Sequence, residues 1–227
     1  MSSKFPDRLP AALKNSPLFE LALTHRSASG KNYERLEFLG DALLGLVIGE
    51  WLYHRFPEAK EGELSRFRAT LVRRETLASI ARENRLGDYL RLGSGELKSG
   101  GYRRDSILSD TVEALIGAHY LILGMEATRE FILSLYGARL ENLPSAESLK
   151  DPKTRLQEFL QSRNLDLPEY HLLGTSGQAH RQTFRVRCKV AALGIEVEAA
   201  GSSRRKAEQA AAEMALQRLD GEDGIDR

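Results

Sequence analysis

The sequence predicts two folded parts, an all-α amino-terminal domain followed by a smaller α+β domain. From Phe19 to Leu140 the apolar residues recur at three- and four-residue spacing, which is the period of helices, and Gly, Pro and Ser punctuate the segment. Beyond residue 150 two segments alternate strictly between apolar and polar residues, as half-buried strands do. We therefore divide the chain into a helical domain at 1–143, a linker at 144–151, the α+β domain at 152–220 and an acidic tail at 221–227.

Composition limits the classes of protein to which the chain can belong. With 227 residues, of which 41% are hydrophobic, it is long enough to bury a core, and full disorder is excluded. The longest apolar run, 114–125, is shorter than the roughly 20 residues that a membrane-spanning helix needs. The segment 1–10 lacks the apolar core of a signal peptide. We expect a soluble, cytoplasmic protein with no membrane partner.

The cysteine and histidine content restricts the kind of metal site. Cys188 is the single cysteine, which excludes an internal disulfide and a cysteine-based zinc site. The five histidines show no ligand spacing. Any metal ion must therefore be held by carboxylates.

Charge is nearly balanced over the whole chain, at 33 basic and 32 acidic residues. That balance, taken alone, argues against a nucleic-acid-binding protein, because phosphate binding normally leaves a basic surface. The segment 150–219, however, carries 12 basic and 8 acidic residues. The second domain is therefore the cationic part of the chain.

The elements of the second domain follow from local patterns. Residues 152–163 have the helical period, and 183–190 and 194–200 alternate as two strands joined by a hairpin. Residues 203–219 are an Ala-rich helix with Ser203 or a neighbour as its N-cap. This order of helix, two or three strands and helix is an α+β module. The hairpin sets outward bases beside outward acids, namely Arg185, Arg187 and Lys189 beside Glu196 and Glu198.

Two predicted helices of the first domain carry acids at positions where apolar residues are expected. Residues 34–52 and 106–123 are each apolar almost all round the helix, which indicates burial inside the domain. Each nevertheless has a pair of acids spaced so that both project from one face. Burial of an unpaired carboxylate costs several kcal/mol, and a second negative charge nearby adds to that cost. The pairs are Glu37 with Asp41 and Asp110 with Glu113.

Two explanations of these acids stay open from the residues alone. An arginine such as Arg35 could neutralise one pair. Alternatively, the two helices meet and their carboxylates hold a divalent cation, and oxygen-only ligands favour Mg²⁺, with Mn²⁺ as a substitute, over Zn²⁺. Carboxylate-held Mg²⁺ suits phosphoryl chemistry, so the predicted reaction is hydrolysis of a phosphodiester or a nucleotide.

Three bases begin the last predicted helix, where the helix dipole disfavours positive charge. They are accounted for if a phosphate backbone crosses this helix end and meets the side chains together with the free backbone N–H groups. The alternative is that all three point into water. Because no aromatic residue lies nearby to stack on bases, a duplex is favoured over a single strand. The bases are Arg204, Arg205 and Lys206.

Six segments together make the chain resemble the bacterial ribonuclease III family over nearly its full length. The resemblance implies an all-helical nuclease domain that forms a homodimer, then a flexible linker, then a double-stranded-RNA-binding domain of α-β-β-β-α order. Of the six, ERLEFLGDA is the most specific signature. The segments are ALTHRSAS (22–29), ERLEFLGDA (34–42), GELKSGG (95–101), ILSDTVEALIGA (107–118), DPKTRLQEFLQ (151–161) and GSSRRKAEQAAAE (201–213).

The resemblance also implies roles for individual residues. An apolar residue that this family inserts into the partner subunit falls on Phe38. Two accessory acids fall on Glu34 and Glu61, which could equally be members of surface ion pairs. The catalytic, Mg²⁺-binding carboxylates fall on Glu37, Asp41, Asp110 and Glu113. The RNA-contacting residues fall on Thr154, Gln157, Glu158, His180, Arg204, Arg205 and Lys206.

The implied activity is cleavage of both strands of double-stranded RNA, leaving 5′-phosphate and 3′-hydroxyl ends with a short 3′ overhang. Its implied substrates are ribosomal RNA precursors and other structured transcripts, with no organic cofactor. A two-fold dimer fits this outcome, because it can set one carboxylate cluster against each strand of a duplex.

The chain departs from the family pattern at two informative positions. Ala42 stands where the signature commonly has Ser, and Glu208 stands where the wider RNA-binding pattern has Lys, which would weaken contact with phosphate. Two rival functions are a non-catalytic RNA-binding scaffold and a metal-dependent nucleotide phosphohydrolase. Presence of all four carboxylates argues against the first, and the RNA-binding module argues against the second.

Overall fold

The structure, a computed structural model, describes residues 9–145, 149–178 and 181–222, the last three by their backbone alone. Contacts within the chain form two compact units, Met1–Leu143 and Pro144–Arg227. The first is helical, and the second has three strands between two helices. The predicted fold class, an all-α domain followed by an α+β module, is therefore confirmed.

The first unit contains eight α-helices among its described residues, and its only β pairing there is an isolated bridge between Thr24 and Arg91. Two short 3-10 segments, Leu86–Tyr89 and Gly101–Arg103, connect some of these helices. The helices are α1 (Ala11–Lys14), α2 (Pro17–Ala22), α3 (Glu34–Arg55), α4 (Glu61–Val72), α5 (Arg74–Glu83), α6 (Ser94–Lys98), α7 (Asp105–Tyr136) and α8 (Ala138–Glu141).

Helices α3 and α7 form the centre of the first unit. Leu44 and Ile48 of α3 and Leu115 and Ile116 of α7 are fully buried, and burial of each such side chain contributes about 1.5–3 kcal/mol. The two helices come close because glycine lies at their crossing: a β-carbon on Gly117 would lie 2.3 Å from the Leu36 carbonyl oxygen. This close crossing brings the acids of both helices to one place.

Helix α3 is not buried all round, and that part of the prediction is wrong. Phe38 is 80% exposed, Tyr53 68% and Leu46 58%. Together with Ala42, which is also exposed, they are spaced by four, four and seven residues and so lie along one face of the helix. Within the described part of a single chain, nothing covers this face.

Helix α7 is long and apolar enough to qualify as a membrane span by length and composition, but most of its apolar window is buried inside the protein. It is also broken at Gly124, whose φ of +78° favours glycine. The hydroxyl of Thr128 donates to the Gly124 carbonyl at 2.7 Å, and Thr128 Oγ1 lies 2.9 Å from Nδ1 of the buried His119. Helix α7 is thus the core helix of this unit.

The second unit is a three-stranded antiparallel sheet, in the order β1-β2-β3, with two helices. A 3-10 turn at Ala191–Leu193 joins β2 to β3. Its elements are α9 (Pro152–Ser162), β1 (Glu169–Ser176), β2 (Thr183–Val190), β3 (Ile195–Gly201) and α10 (Arg204–Glu222). The core between sheet and helices consists mainly of Leu156, Leu160, Cys188, Val190, Val197, Ala211, Ala212, Ala215 and Leu216.

Strand β1 is the third strand, which the local sequence patterns leave open. Its sequence EYHLLGTS does not alternate, because nearly all of the strand is exposed and a bulge shifts the register between Leu172 and Gly174. The predicted hairpin of β2 and β3 is confirmed, with Arg187 opposite Glu198. Helix α10 begins as expected, since the Lys206 N–H donates to Ser203 Oγ at 3.2 Å. It ends at Glu222, two residues inside the segment expected to be a tail.

Candidate active site

Three of the predicted acids converge where α3 crosses α7. One carboxylate oxygen each of Glu37, Asp110 and Glu113 lies within 4.8 Å of the others. Glu37 comes from α3 and the other two come from α7, one turn apart. All three side chains are half-buried. The helix crossing therefore brings together acids that are more than 70 residues apart in the sequence.

The electrostatics of this carboxylate cluster are unfavourable in the metal-free chain. Burial and the negative charges of Asp41, Asp110 and Glu37 raise the pKa of Glu113 to about 8. Burial, followed by the charges of Asp110, Glu34 and Asp41, raises the pKa of Glu37 to about 7. Burial also raises the pKa of Asp110. Near neutral pH the cluster thus holds protons that ordinary carboxyl groups have lost.

Asp41, the fourth predicted ligand, is exposed and lies outside the group of three. It follows Glu37 by one turn of α3, so its side chain starts about 6 Å further along the helix axis. Its charge still raises the pKa of both Glu37 and Glu113. Asp41 therefore borders the cluster without joining its closest contacts.

Cations near the cluster offset only part of its charge. Arg74 and His25 lower the pKa of Asp110, and Arg26 lowers that of Glu37, but in each case burial outweighs them. Arg35, the residue considered as a neutralising partner, forms no ion pair with these acids among the described residues. The cluster is thus left with excess negative charge.

A cavity of about 620 Å³ opens beside the cluster. Its wall includes Glu37 and Asp110 of the cluster, together with cations from the loop before α3 and from the loop before α7. The Arg104 guanidinium pairs with Glu96 at 2.8 Å, and Arg26 pairs with Glu34 at 3.6 Å. The wall of the cavity therefore carries two arginine–glutamate pairs beside two acids of the cluster.

The sequence reasoning missed the residues that support Asp110. Ser109 Oγ donates to Asp110 Oδ1 at 3.1 Å, and the hydroxyl of the buried Tyr33 also lowers the pKa of Asp110 by hydrogen bonding. His25 is held by Ser27, whose backbone N–H donates to His25 Nδ1 at 3.1 Å. His25 lies in the ALTHRSAS segment, so the resemblance could have indicated it. Arg74 lies in none of the quoted segments and is recognised only by its position in space.

A divalent cation fits this arrangement of side chains. The donors are carboxylate oxygens, which Mg²⁺ and Mn²⁺ prefer, and no Cys or His side chain joins the group among the residues described. A bound cation would also offset the repulsion that raises the pKa of these groups.

The other residues assigned by resemblance to the first domain lie outside the carboxylate cluster. Glu34 pairs with Arg26, and Glu61 accepts a hydrogen bond from Ser65 Oγ at 2.6 Å at the start of α4. Phe38 lies on the exposed apolar face of α3.

In the second unit, six of the residues assigned to RNA contact lie in the first two turns of α9 and in the first turn of α10. Thr154 Oγ1 donates to Asp151 Oδ2 at 2.8 Å, Gln157 is exposed, and Glu158 pairs with Lys150. Arg204, Arg205 and Lys206 form the exposed first turn of α10. His180 lies outside the described residues.

Glu208, the departure from the RNA-binding pattern, is a largely buried acid near the start of α10. Its Oε1 accepts from Arg204 Nε at 2.9 Å, and its Oε2 accepts from Lys153 Nζ at 2.7 Å. These bonds, led by the one from Lys153, hold the pKa of Glu208 below its usual value.

A helical domain with an acidic cluster, followed by an α-β-β-β-α module with bases at a helix start, defines a nuclease joined to a duplex-RNA-binding domain. The family model described as Ribonuclease-III-like matches residues 15–140, and that of the Double-stranded RNA binding motif matches 152–219. The chain belongs to the ribonuclease III family, whose members are metal-dependent endoribonucleases that act on double-stranded RNA.

Similar proteins cover the chain along nearly its whole length. It is 57% identical over 217 residues to Ribonuclease 3 of Vibrio cholerae, and the aligned residues make up 96% of each chain. It is 57% identical over 219 residues to Ribonuclease 3 of Pseudomonas aeruginosa, again covering 96% of each. A solved nuclease domain of ribonuclease III from Campylobacter jejuni, described for flexibility in a region involved in dimer formation, matches with a TM-score of 0.55 and 44% identity. It covers 57% of this chain and 91% of that one.

Proposed function

We propose that this chain uses Mg²⁺ to hydrolyse phosphodiester bonds in both strands of double-stranded RNA, leaving 5′-phosphate and 3′-hydroxyl ends with a short 3′ overhang. The observation that carries the proposal is the convergence of Glu37, Asp110 and Glu113 within 4.8 Å in a chain that also has a duplex-RNA-binding domain. We assign it a cytoplasmic role in processing ribosomal RNA precursors and other structured transcripts.

The catalytic role falls to Glu37, Asp41, Asp110 and Glu113. When bound at these carboxylates, a divalent cation lowers the pKa of water and stabilises negative charge on the phosphate. Glu37 and Glu113 must lose their protons before they can bind the cation, since their pKa values lie at about 7 and 8. The Ser109 hydroxyl holds one oxygen of Asp110 in place, which fixes the direction of that ligand.

The exposed face of α3 supports a homodimer. Phe38, Ala42, Leu46 and Tyr53 form an apolar stripe, and an exposed stripe of this kind marks an interface. Because a two-fold dimer presents two copies of the carboxylate cluster, each copy can act on one strand of the duplex. Glu34 and Glu61 are the first residues of α3 and α4 and serve as accessory acids in this proposal.

Contacts with RNA are assigned to the first two turns of α9 and to the first turn of α10 in the second domain. Thr154, Gln157 and Glu158 meet the minor groove, where the 2′-hydroxyl groups of RNA are accessible. Arg204, Arg205 and Lys206 meet phosphate, and His180 belongs to the loop assigned to the second groove contact. Gln157 and Glu158 in the second turn of α9 are exposed, as are the three bases in the first turn of α10, which supports this assignment.

The experiment that tests this function is incubation of the purified chain with an end-labelled RNA hairpin in Mg²⁺, in Ca²⁺ and in EDTA, analysed on denaturing and mobility-shift gels. We expect discrete cuts in both strands that require Mg²⁺. A retarded complex without cleavage in Mg²⁺ would favour a binding scaffold. Competition by nucleotides but not by duplex RNA would favour a phosphohydrolase.

A further inference from the structure

At the start of α10, an acid stands where the RNA-binding pattern has a base. Each oxygen of Glu208 holds one cation: Oε1 accepts from Arg204 Nε at 2.9 Å, and Oε2 accepts from Lys153 Nζ at 2.7 Å. The Glu208 side chain is only 13% exposed. Because Lys153 belongs to α9 and Arg204 to α10, this one carboxylate connects the starts of both helices.

The geometry leaves the outer end of Arg204 available. Glu208 engages Nε, so the two Nη groups are not used in this bond, and the Arg204 side chain is 60% exposed. An arginine held in this way presents its guanidinium in a fixed direction. A fixed side chain loses less conformational freedom when it binds phosphate than a free one does.

Lys153 is fixed from three sides. Its Nζ binds Glu208 and lies 4.3 Å from the centroid of the Tyr170 ring, and its backbone N–H donates to Gln209 Oε1 at 3.1 Å. The Gln209 amide in turn donates to Asp151 Oδ1 at 2.8 Å, and Asp151 caps α9. Glu208 therefore accepts a hydrogen bond from a lysine that is itself held in place. The Glu208 carboxylate is thus fixed where it binds Arg204.

We infer that Glu208 is a positioning residue for RNA binding, which holds the Arg204 guanidinium toward the phosphate backbone and ties it to Lys153 of α9. This inference rests on the proposed contact of Arg204 with phosphate. Charge alone predicts the opposite effect. An acid near a phosphate should weaken RNA binding, and its removal should strengthen RNA binding.

Affinity of the full chain for a blunt duplex RNA, measured in EDTA over a series of salt concentrations, tests the inference. We expect Glu208→Gln to weaken binding about fivefold and to lower the salt slope by up to about one, the change for one lost phosphate contact. In turnover with Mg²⁺, KM for RNA should rise while kcat at saturating RNA stays unchanged.

Glu213 offers a matched control on the same helix. It also accepts from a cation of α9, Arg155, at 3.3 Å, but neither residue is assigned to RNA. Glu213→Gln removes the same charge and a comparable bond between the helices, so it should leave RNA affinity unchanged. Equal weakening by both variants would mean that Glu208 only joins the helices, and the inference would be wrong.

Glu208→Gln is also tested in a chain that already carries Arg204→Ala. The result distinguishes failure of this inference from failure of the proposed function. If Glu208 acts through Arg204, then Glu208→Gln should have no further effect once Arg204 is Ala. A full additional loss in that background, or tighter binding by Glu208→Gln alone, would overturn the inference. If Arg204→Ala by itself leaves affinity unchanged, the proposed phosphate contact fails as well.

Discussion

Gly40 of α3 lies directly against the backbone of Glu113 in α7: a β-carbon on Gly40 would lie 1.8 Å from the Glu113 carbonyl oxygen. No side chain larger than hydrogen fits there without moving the helices apart. The residue that follows Gly40 is Asp41, and Glu37 is one turn earlier. The separation of α3 from α7, and with it the spacing of the carboxylates, therefore depends on this glycine.

Gly40→Ala should destabilise the nuclease domain by about 1–3 kcal/mol, the usual cost of overpacking, and should also weaken metal binding. Urea unfolding followed by fluorescence measures this, because Trp51, the single tryptophan of the chain, is in α3. Gly95→Ala in α6 is the control, since a β-carbon there meets nothing within 4 Å. Wild-type stability and metal affinity in Gly40→Ala would contradict the importance of this contact.

Glu113→Gln should abolish cleavage and leave RNA binding intact. Changes to residues that merely support a metal ligand cost about 10–100-fold, so loss of a ligand should exceed a hundredfold. Cleavage of a labelled hairpin in Mg²⁺ and binding of the same RNA in EDTA measure the two effects. The control is Glu126→Gln, an exposed acid of α7 whose partner is Arg129. Retained turnover in Glu113→Gln would refute the catalytic assignment.

Metal-free protein should become less stable as the pH rises from 6 to 9. Glu37 and Glu113 have folded-state pKa values of about 7 and 8, above their ordinary value of 4.5. Their contribution to stability is therefore fully present below pH 4.5 and is lost as the pH rises through 7 to 8. The Tm followed by Trp51 fluorescence in EDTA should fall by on the order of a few degrees.

Two additions check the sign of this effect. A divalent cation should restore the Tm at pH 8, and Glu113→Gln should make the metal-free Tm less dependent on pH. A metal-free Tm that rises between pH 6 and 9 would be the opposite of what the carboxylate cluster requires.

Arg204→Ala combined with Arg205→Ala should lower RNA affinity and flatten its salt dependence. Loss of two phosphate contacts is expected to reduce the slope by about two. Binding measured between low and moderate salt gives the slope directly, and Arg163→Ala, a cation at the other end of α9, serves as control. An unchanged slope would mean that the start of α10 does not touch phosphate.

Phe38→Glu should convert the proposed dimer to a monomer. The residue is 80% exposed in the isolated chain, and an acid in an apolar interface would be buried without a partner. Sedimentation or light scattering gives the mass. Leu167→Glu, at an apolar residue of the second unit that is 53% exposed, controls for added charge. A dimer that persists with unchanged affinity would place the interface elsewhere.

Sequence patterns predicted the elements wherever one face of an element is buried. Strand β2 lies at 183–190 as expected, because Val186, Cys188 and Val190 are buried while the residues between them face outward. Strand β1 has no such contrast between its faces, so its sequence carried no alternation. The prediction that α3 is buried all round was wrong for a related reason. An apolar composition does not distinguish a helix face buried in the domain from one left exposed.

For the site, helical spacing identified the acids but not how they meet. The spacing of Asp110 and Glu113 fixes only their common face on α7, whereas their approach to Glu37 needs the glycine crossing. Glu208 shows the same limit in the second domain. Its identity marked a departure from the pattern, but its bond to Lys153 joins residues 55 positions apart, which no local pattern encodes.

The ion pairs across β2 and β3 reduce the positive charge on the outer face of the sheet in the RNA-binding domain. On the outer face of the sheet, Arg185 and Arg187 are neutralised by Glu198 and Glu196, at 2.7–3.0 Å. Of the three outward bases on this face, Lys189 alone has no acid paired with it among the described residues, whereas all three bases at the start of α10 are exposed. The proposed homodimer would carry two such domains, one in each chain, so its hold on a long RNA would be bivalent and tighter than that of either domain alone.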